Sequence, residues 1–157
     1  MPEIVVPLTV RDLTVEDLPA CVWAGSGVPP ALERARRGEV DYLAVCPPSG
    51  QPIALGGVIY TEIPGAGVVW QLSVYPALRS CGIGTILIRA LEQRIRARGL
   101  RWAELGVDEN KSRPRALYER LGYVVSGREP DGWDEQAPDG SIRRYETMIT
   151  LMRKELP

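Results

Sequence analysis

The sequence predicts an α/β fold with a mixed, mostly antiparallel sheet of six or seven strands and about four helices. Short stretches rich in β-branched and aromatic residues alternate along the chain with segments of helical periodicity. Two of these stretches, 52–63 and 68–74, are separated only by a Pro- and Gly-containing turn. That connection is too short for a parallel crossover, so it predicts an antiparallel pair. We expect one domain over residues 1–157.

The first half of the chain predicts four strands and two short helices. The strands are expected at residues 4–10, 42–45, 52–63 and 68–74. Thr14 and Asp17 are suited to cap a first helix that extends to Cys21, and Gly38 follows a second helix at 31–37.

The second half predicts a long amphipathic helix, a shorter helix and three strands. The long helix carries one apolar face, formed by Ile83, Leu87, Ala90, Leu91 and Ile95, and Gly99 is suited to end it. A strand is expected at 102–107, then a helix with Pro114 in its first turn that ends at Gly122. Strands at 123–127 and 145–153 flank the segment 129–141, whose Gly, Pro and Asp content predicts a long mobile loop.

Composition excludes several classes of protein. The 157 residues carry a formal net charge of -1 and show no basic stripe, so no nucleic-acid partner is expected. No run of about 18 apolar residues indicates a membrane helix, and no signal-peptide pattern is present. The three cysteines have no paired spacing, which suits a reducing cytoplasm better than a disulfide framework.

Histidine is absent from the chain. A Ser-His-Asp triad, a Cys-His pair and a His-ligated zinc site are therefore excluded, and we expect no metal. Any general base must be a carboxylate, a tyrosine, a lysine or a relayed water molecule.

The segment that follows the strand at 68–74 has the composition of an anion-binding loop. Arg79 precedes two glycines, Gly82 and Gly84, at the start of the long helix. Free N–H groups and a partial positive charge make a helix N-terminus an anion site, and glycines allow the anion to approach the backbone closely. An arginine at the loop entrance adds a charged donor for phosphate. The pattern predicts a diphosphate site.

Three classes of phosphate loop compete for this segment. The nucleotide P-loop requires a lysine after its last glycine, but Thr85 follows Gly84. The dinucleotide fingerprint requires a third glycine where Leu87 stands, and a parallel sheet. The acyl-CoA pyrophosphate loop, R/Q-x-x-G-x-G/A, matches from Arg79 to Gly84. By itself, a pattern this short is equally well explained as a glycine-rich packing turn.

The region from Val69 to Tyr123 resembles the core of the GCN5-related N-acetyltransferase (GNAT) family. The family motifs occur in order: Val74-Tyr75-Pro76, the loop that begins at Arg79, the strand Leu105-Gly106-Val107, Asn110, and the helical segment Leu117-Tyr118-Glu119-Arg120-Leu121-Gly122-Tyr123. The resemblance implies the GNAT fold with a splayed pair of central strands. It also implies acetyl-CoA as co-substrate and transfer of its acetyl group to an amine.

The resemblance also implies roles for individual residues. Main-chain atoms of Leu72 and Val74 would pair with the pantetheine arm, and Asn110 would contact the arm or order its own loop. Tyr118 would protonate the departing thiolate. The pyrophosphate would be held by Arg79 and by backbone amides of Cys81, Gly82, Ile83, Gly84 and Thr85.

The general base stays open at this point. Relatives that acetylate protein N-termini often carry a glutamate where this chain has Gly106. The remaining candidates are Glu62, Glu104, Asp108, Glu109 or a water molecule, and Glu62 is our prediction because it lies near the end of the strand paired with 68–74.

The predicted reaction is attack of a primary amine on acetyl-CoA in a ternary complex. The acceptor is a small-molecule amine or an amine of a peptide or protein. The alternative is a non-catalytic acyl-CoA-binding module of the same fold. A homodimer formed through the last two strands is a further expectation from the resemblance.

Overall fold

The computed structural model describes residues 2–111 and 113–157. It separates into two compact units. The first unit runs to Ala103 and includes Leu156–Pro157, and the second unit is Glu104–Glu155.

Seven strands and four helices longer than one turn form the described part of the chain, which confirms the predicted α/β fold class. The strands are β1 Thr9–Asp12, β2 Val40–Cys46, β3 Ala54–Ile59, β4 Ala66–Val74, β5 Trp102–Asp108, β6 Val124–Gln136 and β7 Ile142–Glu155. The helices are a 3₁₀ helix at Val15–Ala24, α1 Val28–Arg36, α2 Ile83–Ala97 and α3 Arg113–Arg120, with one further 3₁₀ turn at Pro76–Leu78. Over these residues, none of the helices combines the length and apolar character needed to cross a membrane.

In the first unit, strands β1 to β4 lie side by side in chain order, and each adjacent pair is antiparallel. The predicted hairpin between β3 and β4 is confirmed. The first strand begins at Thr9 and not at Ile4, so the predicted start was wrong. Ile4 and Val5 are almost fully exposed, and Pro7 has no N–H to donate to a ladder.

The sheet of the first unit is covered on both faces. On one face α1 and the 3₁₀ helix pack against the sheet in a buried apolar cluster. Its members are Leu13, Cys21, Val28, Ala31, Tyr42, Ala44, Cys46 and Leu55. On the other face α2 buries Leu87, Ile88, Leu91 and Ile95. The predicted apolar face of α2 is therefore correct except that Ile88, rather than Ala90, is fully buried.

Asp17 connects the start of the 3₁₀ helix to β1. Its carboxylate accepts two hydrogen bonds from the Arg11 guanidinium, at 2.7 and 2.8 Å, and one from the backbone N–H of Thr14 at 2.8 Å. The hydrogen bonds from Arg11 are the main reason that the pKa of Asp17 is lowered to about 2.

In the second unit β7 lies between β5 and β6. The predicted loop at 129–141 was wrong, because β6 and β7 pair from Val124 and Arg153 to Gln136 and Ile142, with one register shift between Val125 and Gly127. The turn is confined to the residues between them, where the Ala137 N–H donates to the Ser141 carbonyl. The sequence did not indicate the strand because Gly, Pro and Asp are rare in strands. However, β6 lies at the edge of this sheet, where Pro130 is tolerated.

We expect Asp17→Asn to lower stability at neutral pH by about 1 kcal/mol, because Arg11 loses a charged partner. The pKa of Asp17 is lowered in the folded state. The stability that its charged form contributes is therefore complete at pH values above 3.8, the ordinary pKa of aspartate, and is lost as the pH falls towards about 2. Thermal unfolding should therefore separate wild type from the variant at pH 7 and bring them together near pH 2. The exposed neighbour Glu16, changed to Gln, is the control. An equal loss of stability at both pH values would contradict this account.

Candidate active site

Two residues of the predicted anion loop have backbone dihedral angles in the left-handed region. Ser80 has φ 64° and Gly82 has φ 82°, and Gly82 is the residue that precedes the first turn of α2. The first hydrogen bond of the helix runs from the Ile86 N–H to the Gly82 carbonyl. The N–H groups of Ile83, Gly84 and Thr85 precede that bond, and no side chain caps them. The loop therefore presents consecutive backbone donors, as an anion site requires.

The side chains of this loop leave the donors accessible. Arg79, Ser80 and Cys81 are exposed, and Ile83 is buried beneath the loop. No hydrogen bond or ion pair occupies the Arg79 guanidinium within the described residues, so it is available to a phosphate. An added Cβ on Gly82 would meet no atom within 4 Å, so only the backbone conformation requires glycine there. The loop fits the pyrophosphate of coenzyme A in charge and in donor arrangement.

A bulge interrupts the pairing of β3 with β4. Leu55 pairs with Ser73 and Gly57 pairs with Trp70, so the single residue Gly56 faces two residues, Gln71 and Leu72. Gln71 adopts φ 55°, as a residue in a bulge can. The pairing resumes at Ser73 and continues to Val74, which is opposite Ala54. Of the two β4 residues predicted to contact pantetheine, Leu72 thus lies in the bulge and Val74 lies two residues after it, at the end of the strand.

Gln71 is a residue that the sequence analysis missed. Its side-chain carbonyl accepts a hydrogen bond of 3.0 Å from the Tyr42 hydroxyl, and its amide nitrogen would lie 2.8 Å from a Cβ added to Gly27. Leu72 points the other way, 2.6 Å from a Cβ added to Gly56. The two adjacent glycines of β3 were the available signal, because glycine within a strand indicates a bulge or a close approach.

Glu62, the predicted general base, lies in the exposed turn between β3 and β4. Val74 pairs with Ala54 at the opposite end of β3. The five residue steps from Ala54 to Ile59 alone span about 17 Å. The structure therefore does not bring Glu62 close to Val74, and the role of Glu62 as base stays a prediction that this distance disfavours.

Tyr118 is largely buried on α3. Its ring makes an edge contact with Tyr123 at a centroid distance of 6.1 Å, and its carbonyl accepts the N–H of Tyr123. Burial raises the pKa of the Tyr118 hydroxyl, so the group is protonated at neutral pH. A protonated phenol is the form that a proton donor to a thiolate requires.

Asn110 orders the region after β5. Its side-chain amide donates to the Tyr145 hydroxyl at 3.0 Å, and its backbone N–H donates to Asp108 at 3.0 Å. Asp108 also accepts hydrogen bonds from the hydroxyls of Tyr145 at 2.6 Å and Thr147 at 2.5 Å. Burial pushes the pKa of Asp108 upward, but these hydrogen bonds outweigh it and the pKa is lowered. Of the two roles expected for Asn110, the contacts within this unit correspond to loop ordering.

Two further carboxylates considered as bases are engaged by arginines. Glu109 accepts two hydrogen bonds from Arg128, at 2.5 and 2.8 Å, and the bond from Arg128 is the main cause of its lowered pKa. Glu104 lies 3.4 Å from Arg153.

Two polar clefts border these residues in the second unit. The larger has a volume of about 780 Å³, and its lining includes Glu109, Asn110, Asp131, Arg144, Glu146 and Thr147. The smaller has a volume of about 370 Å³, and its lining includes Asp108, Glu109, Lys111, Arg115, Arg128 and Thr150. The larger volume is within the range of small-ligand sites.

Packing against β7 explains why residue 106 is a glycine. A Cβ at this position would lie 2.6 Å from the Cγ2 atom of Ile149. The position that carries a glutamate in some relatives is therefore closed to any side chain unless Ile149 moves.

We expect Gly106→Ala to destabilise the fold by about 1–3 kcal/mol through overpacking. Combining it with Ile149→Ala should remove that clash, so the double variant should lose less stability than the sum of the two single variants. A double-mutant cycle measured by denaturant unfolding tests this, and strict additivity would contradict the contact.

Comparison with known proteins agrees with this architecture. The model of the acetyltransferase (GNAT) family matches residues 9–123. The ribosomal-protein-S18-alanine N-acetyltransferase of Escherichia coli has 19% identity and a TM-score of 0.72, covering 96% of this chain and 94% of that chain. PaiA N-acetyltransferase of Thermoplasma acidophilum, solved with coenzyme A, has 15% identity and a TM-score of 0.68, covering 95% and 99%. Nourseothricin acetyltransferase has 21% identity and a TM-score of 0.62; the match covers 76% of this chain and 66% of that chain.

At these identities the solved structures establish the fold alone, whereas the family model spans well over half of the chain. The motifs that carry the resemblance in the sequence, from Val74 to Tyr123, lie inside the matched region. The protein therefore belongs to the GNAT acetyltransferase family.

Proposed function

We propose that this protein is an N-acetyltransferase that moves the acetyl group of acetyl-CoA to a primary amine. The observation that carries the proposal is the loop before α2, in which the left-handed Ser80 and Gly82 direct consecutive free amides outward beside the exposed Arg79. A diphosphate with a net negative charge is the ligand that such a loop suits.

In the proposed reaction Arg79 and the amides from Cys81 to Thr85 bind the pyrophosphate, and main-chain atoms of Leu72 and Val74 align the pantetheine arm. When bound, acetyl-CoA supplies the activated thioester. A neutral amine forms the new N–C bond, the C–S bond breaks, and Tyr118 gives its proton to the departing sulfur. The nitrogen releases one proton to a carboxylate, with Glu62 as the predicted base, or to a water molecule, and Tyr118 regains a proton from solvent. Holding both substrates together makes the attack effectively unimolecular, which lowers its barrier.

The acceptor is either a small-molecule amine or an amine of a peptide or protein. We keep a cytoplasmic location as part of the proposal because the three cysteines are unpaired. A homodimer through β6 and β7 stays a prediction.

We expect Gly82→Ala to weaken acetyl-CoA binding about tenfold or more. The left-handed conformation is about 1–2 kcal/mol less favourable for alanine than for glycine, so the backbone of the loop should change and its amides should move. Gly99→Ala is the matched control. Gly99 has φ 79° and open space around it, like Gly82, but it follows the other end of the same helix. Titration calorimetry should show weaker binding only for Gly82→Ala, although both variants lose similar stability. Equal affinities would remove the loop from the binding site.

We expect Tyr118→Phe to keep acetyl-CoA affinity and to lose most of its turnover, roughly 100-fold, because the departing thiolate has no proton donor. Tyr60→Phe is the control, because it also removes a phenol hydroxyl. In the wild type that hydroxyl donates a hydrogen bond to Asp41. Thiol release measured with a panel of primary amines gives the turnover. Tight binding without turnover of any amine by the wild type would favour the non-catalytic acyl-CoA-binding alternative.

A further inference from the structure

Two segments of the first unit, residues 23–27 and 71–75, lie against each other at two points. At one point Gln71 packs on Gly27, since a Cβ added to Gly27 would lie 2.8 Å from the Gln71 amide nitrogen. At the other, the Tyr75 ring meets the Trp23 ring edge-on at a centroid distance of 5.5 Å. The loop that leaves the 3₁₀ helix therefore follows the end of β4, where the pantetheine arm is proposed to bind.

The Tyr42 hydroxyl fixes the orientation of the Gln71 side-chain amide. Tyr42 is buried, and its hydroxyl donates a hydrogen bond of 3.0 Å to the Gln71 side-chain carbonyl. The amide nitrogen consequently lies on the side of Gly27, and it makes no hydrogen bond within the described residues. A side-chain amide nitrogen carries two N–H groups, so Gln71 has donors available for a ligand.

The indole of Trp23 is a second donor without a partner. Its Nε1 atom is buried and has no hydrogen-bond acceptor within the described residues. Leaving a buried N–H unpaired is unfavourable, so an oxygen atom brought to this group would stabilise it. The Tyr75 ring beside the indole is 41% exposed. Because this ring is exposed, a ligand can move it aside and reach the indole N–H.

Neither of the two segments contains a charged residue. Residues 23–27 are Trp-Ala-Gly-Ser-Gly, and residues 71–75 are Gln-Leu-Ser-Val-Tyr. Neutral N–H donors suit an uncharged oxygen such as a carbonyl. A second ammonium group of a ligand would find no carboxylate in either segment, and a charge that is buried without a counter-charge is strongly unfavourable. The two segments therefore favour an amine that carries a carbonyl oxygen over a polyamine.

We propose that Gln71 determines acceptor specificity by donating a hydrogen bond from its amide nitrogen to a carbonyl oxygen of the acceptor amine, with Trp23 as the second donor. This inference rests on the proposed acetyl transfer. The pantetheine arm runs from the anion loop past Val74 to Leu72, so its acyl end lies next to Gln71. An acceptor held there by its carbonyl oxygen presents its nitrogen to the thioester. The acceptor class is a primary amine close to a carbonyl group, as in an amino-acid amide or a peptide N-terminus.

Three variants in the full chain test these donors. Gln71→Glu keeps an oxygen for the Tyr42 hydroxyl but removes both N–H groups. Gly27→Ala places a methyl group against the Gln71 amide nitrogen, and its backbone is in the right-handed region at φ -77°, so alanine adds no backbone strain. Trp23→Phe removes the indole N–H and keeps an aromatic ring. Gln51→Glu is the control, because it makes the same chemical change at an exposed position of the same unit.

The acceptors are phenylalaninamide and phenethylamine, which differ by one carboxamide group, together with spermidine. Thiol release with acetyl-CoA gives kcat/KM, expressed on the concentration of neutral amine because the amines differ in pKa. We expect the wild type to prefer phenylalaninamide. The three variants should lower kcat/KM for phenylalaninamide about tenfold and that for phenethylamine less than about threefold, whereas Gln51→Glu should leave both unchanged.

The outcomes separate this inference from the proposed function. Turnover of phenylalaninamide that Gln71→Glu and Gly27→Ala leave intact would overturn Gln71 as a specificity determinant and leave the acetyltransferase standing. Equal losses for phenylalaninamide and phenethylamine, in parallel with lower unfolding temperatures, would assign these residues a structural role and also overturn it. A wild type that prefers spermidine would overturn the acceptor class. Acetyl-CoA binding without turnover of any amine would refute the enzyme function together with this inference.

Discussion

The arrangement of the first unit depends on the one-residue bulge between β3 and β4. Without it, successive side chains of β4 would alternate strictly between the two faces of the sheet. The extra residue sends Gln71 to Tyr42 and sends Leu72 to the face beneath α2. The two glycines of β3 leave room for these side chains. A Cβ on Gly56 would collide with Leu72, and a Cβ on Gly57 would lie too close to Tyr42 and Trp70. Beyond the bulge the strand ends at Val74 and leads into the anion loop.

The anion loop shows how a site can be made mainly from backbone. Its donors are amides of the first turn of α2, and a helix requires no particular side chain to present them. The helix itself is fixed by the burial of Leu87, Ile88, Leu91 and Ile95. Apolar packing on one side of α2 thus holds polar donors in place at its end.

Electrostatics in the second unit follow from which group faces each carboxylate. Arginines face Glu109 and Glu104, whereas Asp108 accepts hydrogen bonds from two hydroxyls and one backbone amide, and the charge of Lys111 also lowers its pKa. Because the chain has no histidine, any general base has to be one of the remaining titratable side chains or a water molecule.

The sequence by itself determined the fold class, the position of α2, the anion loop and the family, because these depend on local periodicity, on glycine placement and on motif order. It did not predict the long β6–β7 hairpin, since cross-strand pairing along the whole hairpin outweighs the turn composition of residues 129–141. It did not single out Gln71 or Tyr145 either. Their partners, Tyr42 and Asp108, are 29 and 37 residues away along the chain, so only the tertiary structure brings these side chains together.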